Sequence, residues 1–267
     1  MIQWRNTEAA DERPLTARSV IASTLLGTSP PELPGWLLVR AGALFGIAEG
    51  TVRTALSRMV AAGELTADDG TYALAGPLLA RQARQDESRR AVVAPTAWDG
   101  GWSMAVVHGD PRSAAQRGEL RAAATALRLA ELREGVWLRP DNLDTDRLPA
   151  SSAVLAAQCA RLTARPDEPD PAALAARLWD LAAWADRAAA LRVRMDGVVA
   201  ALEAGDTDAL APGFVLSASV LRLTQADPLL PDALLPTGWP GAALRAEYDR
   251  YDAAYQSLLR AWFRSQR

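Results

Sequence analysis

Two stretches with helical spacing, one from about Gly35 to Leu44 and one opening at Glu49, are separated by only a few residues around Gly46. Two helices joined by a turn that short, with a glycine in it, make a helix-turn-helix. Their surroundings narrow the choice further. Upstream, Leu15 to Gly27 carries Val20, Ile21, Thr24 and Leu25 at helical spacing and runs into a loop rich in proline at Pro30, Pro31 and Pro34. Downstream, Glu64-Leu65-Thr66 and Thr71-Tyr72-Ala73-Leu74 are short strand candidates around Asp68-Asp69-Gly70, a hairpin signal. Three helices and a hairpin predict a winged helix over residues 1–90.

The helix that opens at Glu49 reads EGTVRTALSRMVAAGEL. On a helical wheel Val52, Ala55, Leu56, Met59 and Val60 lie within about 140° of one another, so that side packs down. Gly50, Thr51, Arg53, Thr54, Ser57 and Arg58 fan across the other side, and the first residues of such a helix are the ones that reach base edges in a major groove. Arg53 is the best base reader, through guanine O6 and N7. Thr51, Thr54, Ser57 and Arg58 divide between phosphates and bases, and Gly50 allows close backbone approach. An ordinary solvated face has the same composition, and it is the preceding helix, the Gly46 turn and the hairpin that favour double-stranded DNA. Two features oppose it. Ala48 is a poor N-cap, and Asp68 and Asp69 put negative charge where phosphates would lie.

Beyond residue 90, Ser103 to His108 reads as a strand, Arg112 to about Ala130 as a helix and Gly135-Val136-Trp137-Leu138 as another strand. Leu143 to Ala164 adds a weak helix and strand, so residues 91–168 fit a ferredoxin-like α+β domain. After the proline-rich linker around Pro166 to Pro171, residues 169–267 read as a helical C-terminal domain. Apolar residues recur at helical spacing from Leu174 to Leu202, then from Phe214 to Leu223, then from Leu244 to Phe263. Between the last two lies Asp227 to Gly241, too rich in proline for a helix and too apolar for a solvated loop. It is expected to be ordered and irregular. The fold class expected is therefore a multidomain α+β chain.

Composition limits the chemistry. Of 267 residues, 29 are basic, every one an arginine, and 32 are acidic, giving a net charge of −3 spread evenly along the chain. DNA contact must then use a local patch. Cys159 and His108 are the single cysteine and histidine, which leaves no disulfide, no thiolate or histidine-rich metal site and little support for nucleophilic hydrolases. Cys159 is expected as a buried inert thiol and His108 as a strand-end packing residue. A non-enzymatic protein without metal or catalytic residues is the expectation. With no apolar run of membrane-spanning length and a polar first segment, so is a cytoplasmic location away from membranes.

Three groups of residues resemble one known family. Leu44-Phe45-Gly46-Ile47 with Arg53 to Leu65 is similar to the first domain of the PaaX-type repressors of phenylacetic-acid catabolism. Trp98-Asp99-Gly100-Gly101-Trp102, Asp110-Pro111 and Gly135 to Pro140 resemble its middle domain, and Leu178-Trp179-Asp180-Leu181 with Asp227 to Gly241 its last. The resemblance implies a winged-helix repressor, a middle domain akin to the ferredoxin-like CRISPR adaptation nuclease, and a helical C-terminal domain. It also implies a homodimer on a palindromic operator, released by an aryl-CoA thioester such as phenylacetyl-CoA. Arg222 and Arg245, which flank the irregular segment, are candidates for CoA phosphates, with structural ion pairing or simple solvation as the alternative.

Two departures matter. Family hairpins tend to be basic, and this one is acidic. The nuclease relatives carry a metal-binding aspartate near the end of the first strand, where Gly109 stands here; Asp110 would point to the other side of a strand. A metal-dependent nuclease, and an interaction module that has lost DNA binding, are the competing readings.

Overall fold

The structure is a computed structural model that describes residues 15–90, 98–109, 112–144, 148–167 and 169–266. The described residues form ten α-helices and two small sheets, grouped into two compact units. Of the described residues, one unit holds 15–89 together with 187–225 and 240–266; the other holds those of 90–186 and 226–239.

In the first unit, α1 (Ala17–Leu26) starts at a capping box in which Thr16 and Ser19 satisfy each other's backbone N–H groups. It is followed by β1 (Glu32–Pro34), α2 (Gly35–Ala43), α3 (Glu49–Ala61), β2 (Leu65–Asp68), β3 (Thr71–Leu74) and α4 (Gly76–Arg90). The β2–β3 hairpin turns on Asp69 and Gly70, both at positive φ (42° and 75°), the conformation of a tight two-residue turn. The proline-rich stretch corrects the expectation of a loop. Glu32–Pro34 pairs antiparallel with β3, giving the order β1-β3-β2, and Pro34 is tolerated because β1 is an edge strand.

Val52, Leu56 and Met59 of α3 are at most 2% exposed and pack with Ile21, Leu25, Leu38, Leu65 and Leu74. Burying each such side chain contributes about 1.5–3 kcal/mol. The α2–α3 crossing is close at Gly42, where an added Cβ would lie 2.5 Å from Val52 Cγ2.

The same unit contains most of α8 (Leu181–Glu203), then α9 (Leu210–Gln225) and α10 (Gly241–Ser265). Tyr248, Tyr251 and Tyr255 line one face of α10, with neighbouring ring centroids 6.1 and 6.5 Å apart. The Tyr251 hydroxyl donates to the Gly213 carbonyl at 2.6 Å, and Gly213 brings α9 close enough that a Cβ would meet the Tyr255 ring at 3.1 Å. Phe45, just after α2, meets Phe214 of α9 with centroids 4.9 Å apart. Arg192 and Glu247 form a bidentate pair between α8 and α10.

In the second unit, β4 (Trp102–Val107), α5 (Ala114–Ala126), β5 (Ala130–Arg133), β6 (Val136–Pro140), α6 (Pro149–Gln158) and β7 (Cys159–Ala164) give an antiparallel sheet of order β5-β6-β4-β7. That is the split β-α-β arrangement of a ferredoxin-like domain. The expected helix to Ala130 is shorter than the spacing predicts. It stops at Ala126, Arg128 turns at φ 63°, and Ala130–Arg133 is a strand whose hairpin partner is β6. His108 is exposed beyond the end of β4 and does not pack. The expected helix from Leu174 onward is two helices, α7 (Pro171–Leu178) and α8, because Trp179 is extended and the Asp180 carboxylate accepts from the Ala183 N–H to start the second.

The segment after Asp227 is ordered and irregular, with one 3₁₀ turn at Asp232–Leu234. Leu230 and Leu234 join a core with Trp102, Leu138, Leu178 and Trp179, and Trp239 stacks on Trp184 at 4.5 Å. A buried polar chain fixes it. Arg139, 1% exposed, donates to the carbonyls of Pro140 and Leu127 and to Asn142 Oδ1, and Asn142 Nδ2 donates to the Leu229 carbonyl at 2.9 Å. Leu229 sits at φ 53°, and its N–H donates to the buried Asp227 carboxylate at 3.0 Å.

Candidate nucleic-acid interface

Helix α3 begins without a side-chain cap at Ala48, and Glu49 in its first turn supplies the negative charge that its dipole favours. Gly46, at φ 67°, turns the chain into it. With Val52, Leu56 and Met59 buried, Gly50, Thr51, Arg53, Thr54, Ser57 and Arg58 are all exposed. The six candidate residues thus share one wet side of one helix, and neighbouring elements place all of them but Ser57 on one of two flanks.

Gly50, Thr51, Thr54 and Arg58 line a shallow groove beside the start of α1, together with Arg18 and Glu64. Thr54 Oγ1 donates to the Gly50 carbonyl at 2.8 Å, which fixes its rotamer. Arg18 is bidentate to Glu64, with Nε donating at 2.9 Å. The hydrogen bond from Arg18 holds the Glu64 carboxyl below the usual range and raises the guanidinium above its own.

Arg53 belongs to the other flank, in a recess with Trp36, Arg40 and Glu49. Its Nε and Nη2 both reach Glu49 Oε1 at 2.7 Å. Both side chains are well exposed, so this i,i+4 pair is held weakly, by about 0.3–0.5 kcal/mol. The pair orients the guanidinium without locking it. Sequence reasoning missed Arg18, Arg40 and the role of Glu49; the Glu49–Arg53 spacing was the available signal, while the two other arginines enter only through tertiary packing. The hairpin tip is exposed and carries Asp68 and Asp69.

Arg222 and Arg245 lie apart in their chemistry. Arg222 is exposed, donates to Ser219 Oγ at 3.0 Å, and lines a cavity inside the first unit. Arg245 is buried in the first turn of α10, where it donates to the Gly241 carbonyl at 3.0 Å. Cys159 is buried at the start of β7, and burial pushes its thiol pKa up. Among the described residues there is no group of three or more His, Cys, Asp or Glu placed to hold a metal, and no helix long and apolar enough to cross a membrane. Asp110 and Pro111 lie outside the described residues.

Three family models match in chain order: the PaaX-like protein over residues 16–77, the PaaX protein central Cas2-like domain over 95–171, and the PaaX-like protein C-terminal domain over 179–265. The chain belongs to the PaaX-like family. A solved structure of an uncharacterized protein of Mycobacterium tuberculosis, Rv0674, is similar over 92% of this chain and 98% of its own, at 42% identity and a TM-score of 0.68. No curated protein matches. Membership of the PaaX-like family points to transcriptional regulation and to DNA as the partner, and regulators of this family are generally not enzymes.

Proposed function

We propose that this PaaX-like chain is a winged helix-turn-helix repressor that reads duplex DNA with α3. The observation that carries this reading is the division of α3 into an apolar side whose Val52, Leu56 and Met59 are buried and an exposed side made of Gly50, Thr51, Arg53, Thr54, Ser57 and Arg58. A helix so divided, behind a glycine turn and before a hairpin, presents its first two turns to the major groove. Arg18 and Arg40 flank it as phosphate contacts. The β2–β3 hairpin is the wing, and the negative charge of its exposed Asp68 and Asp69 repels phosphates, leaving most of the affinity to α3.

The chain acts as a homodimer on an inverted repeat, with half-sites about one helical turn apart. It represses genes of aromatic-acid breakdown, and an aryl-CoA thioester relieves it by favouring a conformation that no longer matches both half-sites. Family membership and the resemblance of its motifs to the phenylacetate repressors support this part. Selection of bound sequences from a randomised duplex pool tests the reading. An enriched inverted repeat is expected; an unenriched pool, or retention of no duplex at low salt, leaves an interaction module in its place.

A further inference from the structure

The recess on the Arg53 flank of α3 has a volume of about 320 Å³ and is built from elements far apart in the chain: α2, the start of α3, and Gln266 just past the end of α10. We propose that it seats one sugar-phosphate unit of the duplex, with Trp36 against the sugar, Arg40 on the phosphate and the end of α10 closing it. The proposal rests on the DNA-reading function above and carries the interface beyond the first ninety residues to the last helix.

Position and size come first. When the second helix of a helix-turn-helix lies in the major groove, the first crosses the backbone that borders it. Trp36, Arg40 and Ala43 recur at helical spacing on α2 and are all exposed, so this is the side of α2 that meets the backbone. Arg53 lines the same recess, so the seat adjoins the side chain that reads a base. The volume is many times the roughly 30 Å³ of one water, so a sugar and its phosphate fit.

The lining sorts the two parts of the ligand. Val39, Ala43 and Ile47 make an apolar floor beside Trp36, which is 41% exposed despite its size. Deoxyribose presents C–H surface, and an indole covers such surface while its N–H stays wet. Arg40 supplies the charge, and its planar fork of donors suits phosphate oxygens. Glu49 is a carboxylate of the same lining and is paired with Arg53, which leaves the Arg40 side as the favourable one for a phosphate.

Gln266 brings in the last helix. Its amide donates to Ser265 Oγ at 3.3 Å, and a carboxamide has a second N–H that can reach a phosphate oxygen. The negative end of the α10 dipole disfavours an anion there, and Arg264 in the last turn offsets it. An uncharged amide adds direction more than attraction, so Gln266 carries less of the affinity than Arg40.

The test is duplex binding by the full chain on its selected sequence, followed by fluorescence anisotropy across a salt series. Arg40→Ala should weaken binding about tenfold and flatten the logarithmic salt slope by roughly 0.9, the share of one phosphate. Trp36→Ala should weaken it about fivefold at an unchanged slope, with most of the loss restored in Trp36→Phe. Gln266→Ala should lose about threefold. None of these variants should alter base preference at any position. Phosphates are then replaced singly by neutral methylphosphonates: one position in each half-site should weaken the parent and leave Arg40→Ala unaffected, which a merely structural role for Arg40 would not produce. Trp36 and Arg40 are exposed, so the variants should unfold at the parental temperature; if Trp36→Ala does not fold, the methylphosphonate comparison stands on Arg40 alone. Parental binding in Arg40→Ala, Trp36→Ala or Gln266→Ala, an altered base preference, or no such methylphosphonate position overturns the proposal. If these variants bind as the parent does while Arg53→Ala relaxes base preference, the recess falls and the reading helix stands; a parent that binds no duplex removes both.

Discussion

Replacing Gly42 with alanine tests whether the α2–α3 crossing depends on close backbone approach. The new Cβ would sit 2.5 Å from Val52 Cγ2, against the 3.5–4.0 Å of an ordinary carbon contact, so the helices must part by roughly 1 Å. Val52 is 0% exposed and, being β-branched, has almost no alternative rotamer in a helix. Overpacking of this kind costs about 1–3 kcal/mol. Alanine returns at most about 1 kcal/mol of helix propensity, and less here because Gly42 is one residue from the end of α2. The net loss is roughly 1–2 kcal/mol, a fall of about 2–8 °C in unfolding temperature for a unit of this size. Thermal unfolding of Gly42→Ala, Val52→Ala and the double variant provides the assay. Removing Cγ2 should relieve the clash, so the double variant should be less damaged than the sum of the singles by at least about 0.5 kcal/mol. Additive losses, or a Gly42→Ala protein more stable than the parent, would refute the reasoning.

Glu49→Gln should tighten non-specific duplex binding and steepen its salt dependence, because Arg53 loses its competing carboxylate; fluorescence anisotropy across a salt series checks it. Acidification should destabilise the first unit. Glu64 and Glu247 have pKa values lowered by Arg18 and Arg192, so their contribution is present above the ordinary value of 4.5 and is lost as pH falls through the lower folded values. Urea titrations should show a flatter acid limb in Glu64→Gln and Glu247→Gln. Cys159 should resist iodoacetamide at pH 8 in the native protein and react freely in denaturant, since burial raises its pKa above the ordinary 9.0.

What the sequence disclosed is what local pattern encodes. The buried side of α3 repeats Val52, Leu56 and Met59 at helical spacing, and Asp69-Gly70 has the turn chemistry its positive φ values require. The order of Asp227 to Gly241 was legible because proline and leucine together exclude both helix and solvated loop. Long-range pairing was not legible. Glu32–Pro34 becomes a strand only because β3 offers an edge, and Ala130–Arg133, in an arginine- and leucine-rich run that favours helix, becomes one only because β6 is beside it. The Arg139–Asn142–Leu229 chain was hidden for a similar reason. Nothing local marks an arginine that will be buried against the Leu127 and Pro140 carbonyls and linked through Asn142 to Leu229.

At the site, the exposure of all six candidates followed from the wheel, and the split into two flanks did not, because α1 and α2 create it. The cavity that Arg222 lines was equally invisible. Its aromatic walls come from Phe45, Phe214, Tyr248 and Tyr255, which no single periodicity connects.

The central claim is that α3 reads bases, and Arg53→Ala tests it most directly when binding is measured against the selected site and against every single-base variant of it. The account predicts a loss of about 1–3 kcal/mol on the preferred site, with discrimination relaxed at one position of each half-site. Unchanged affinity and an unchanged base preference at every position would contradict it.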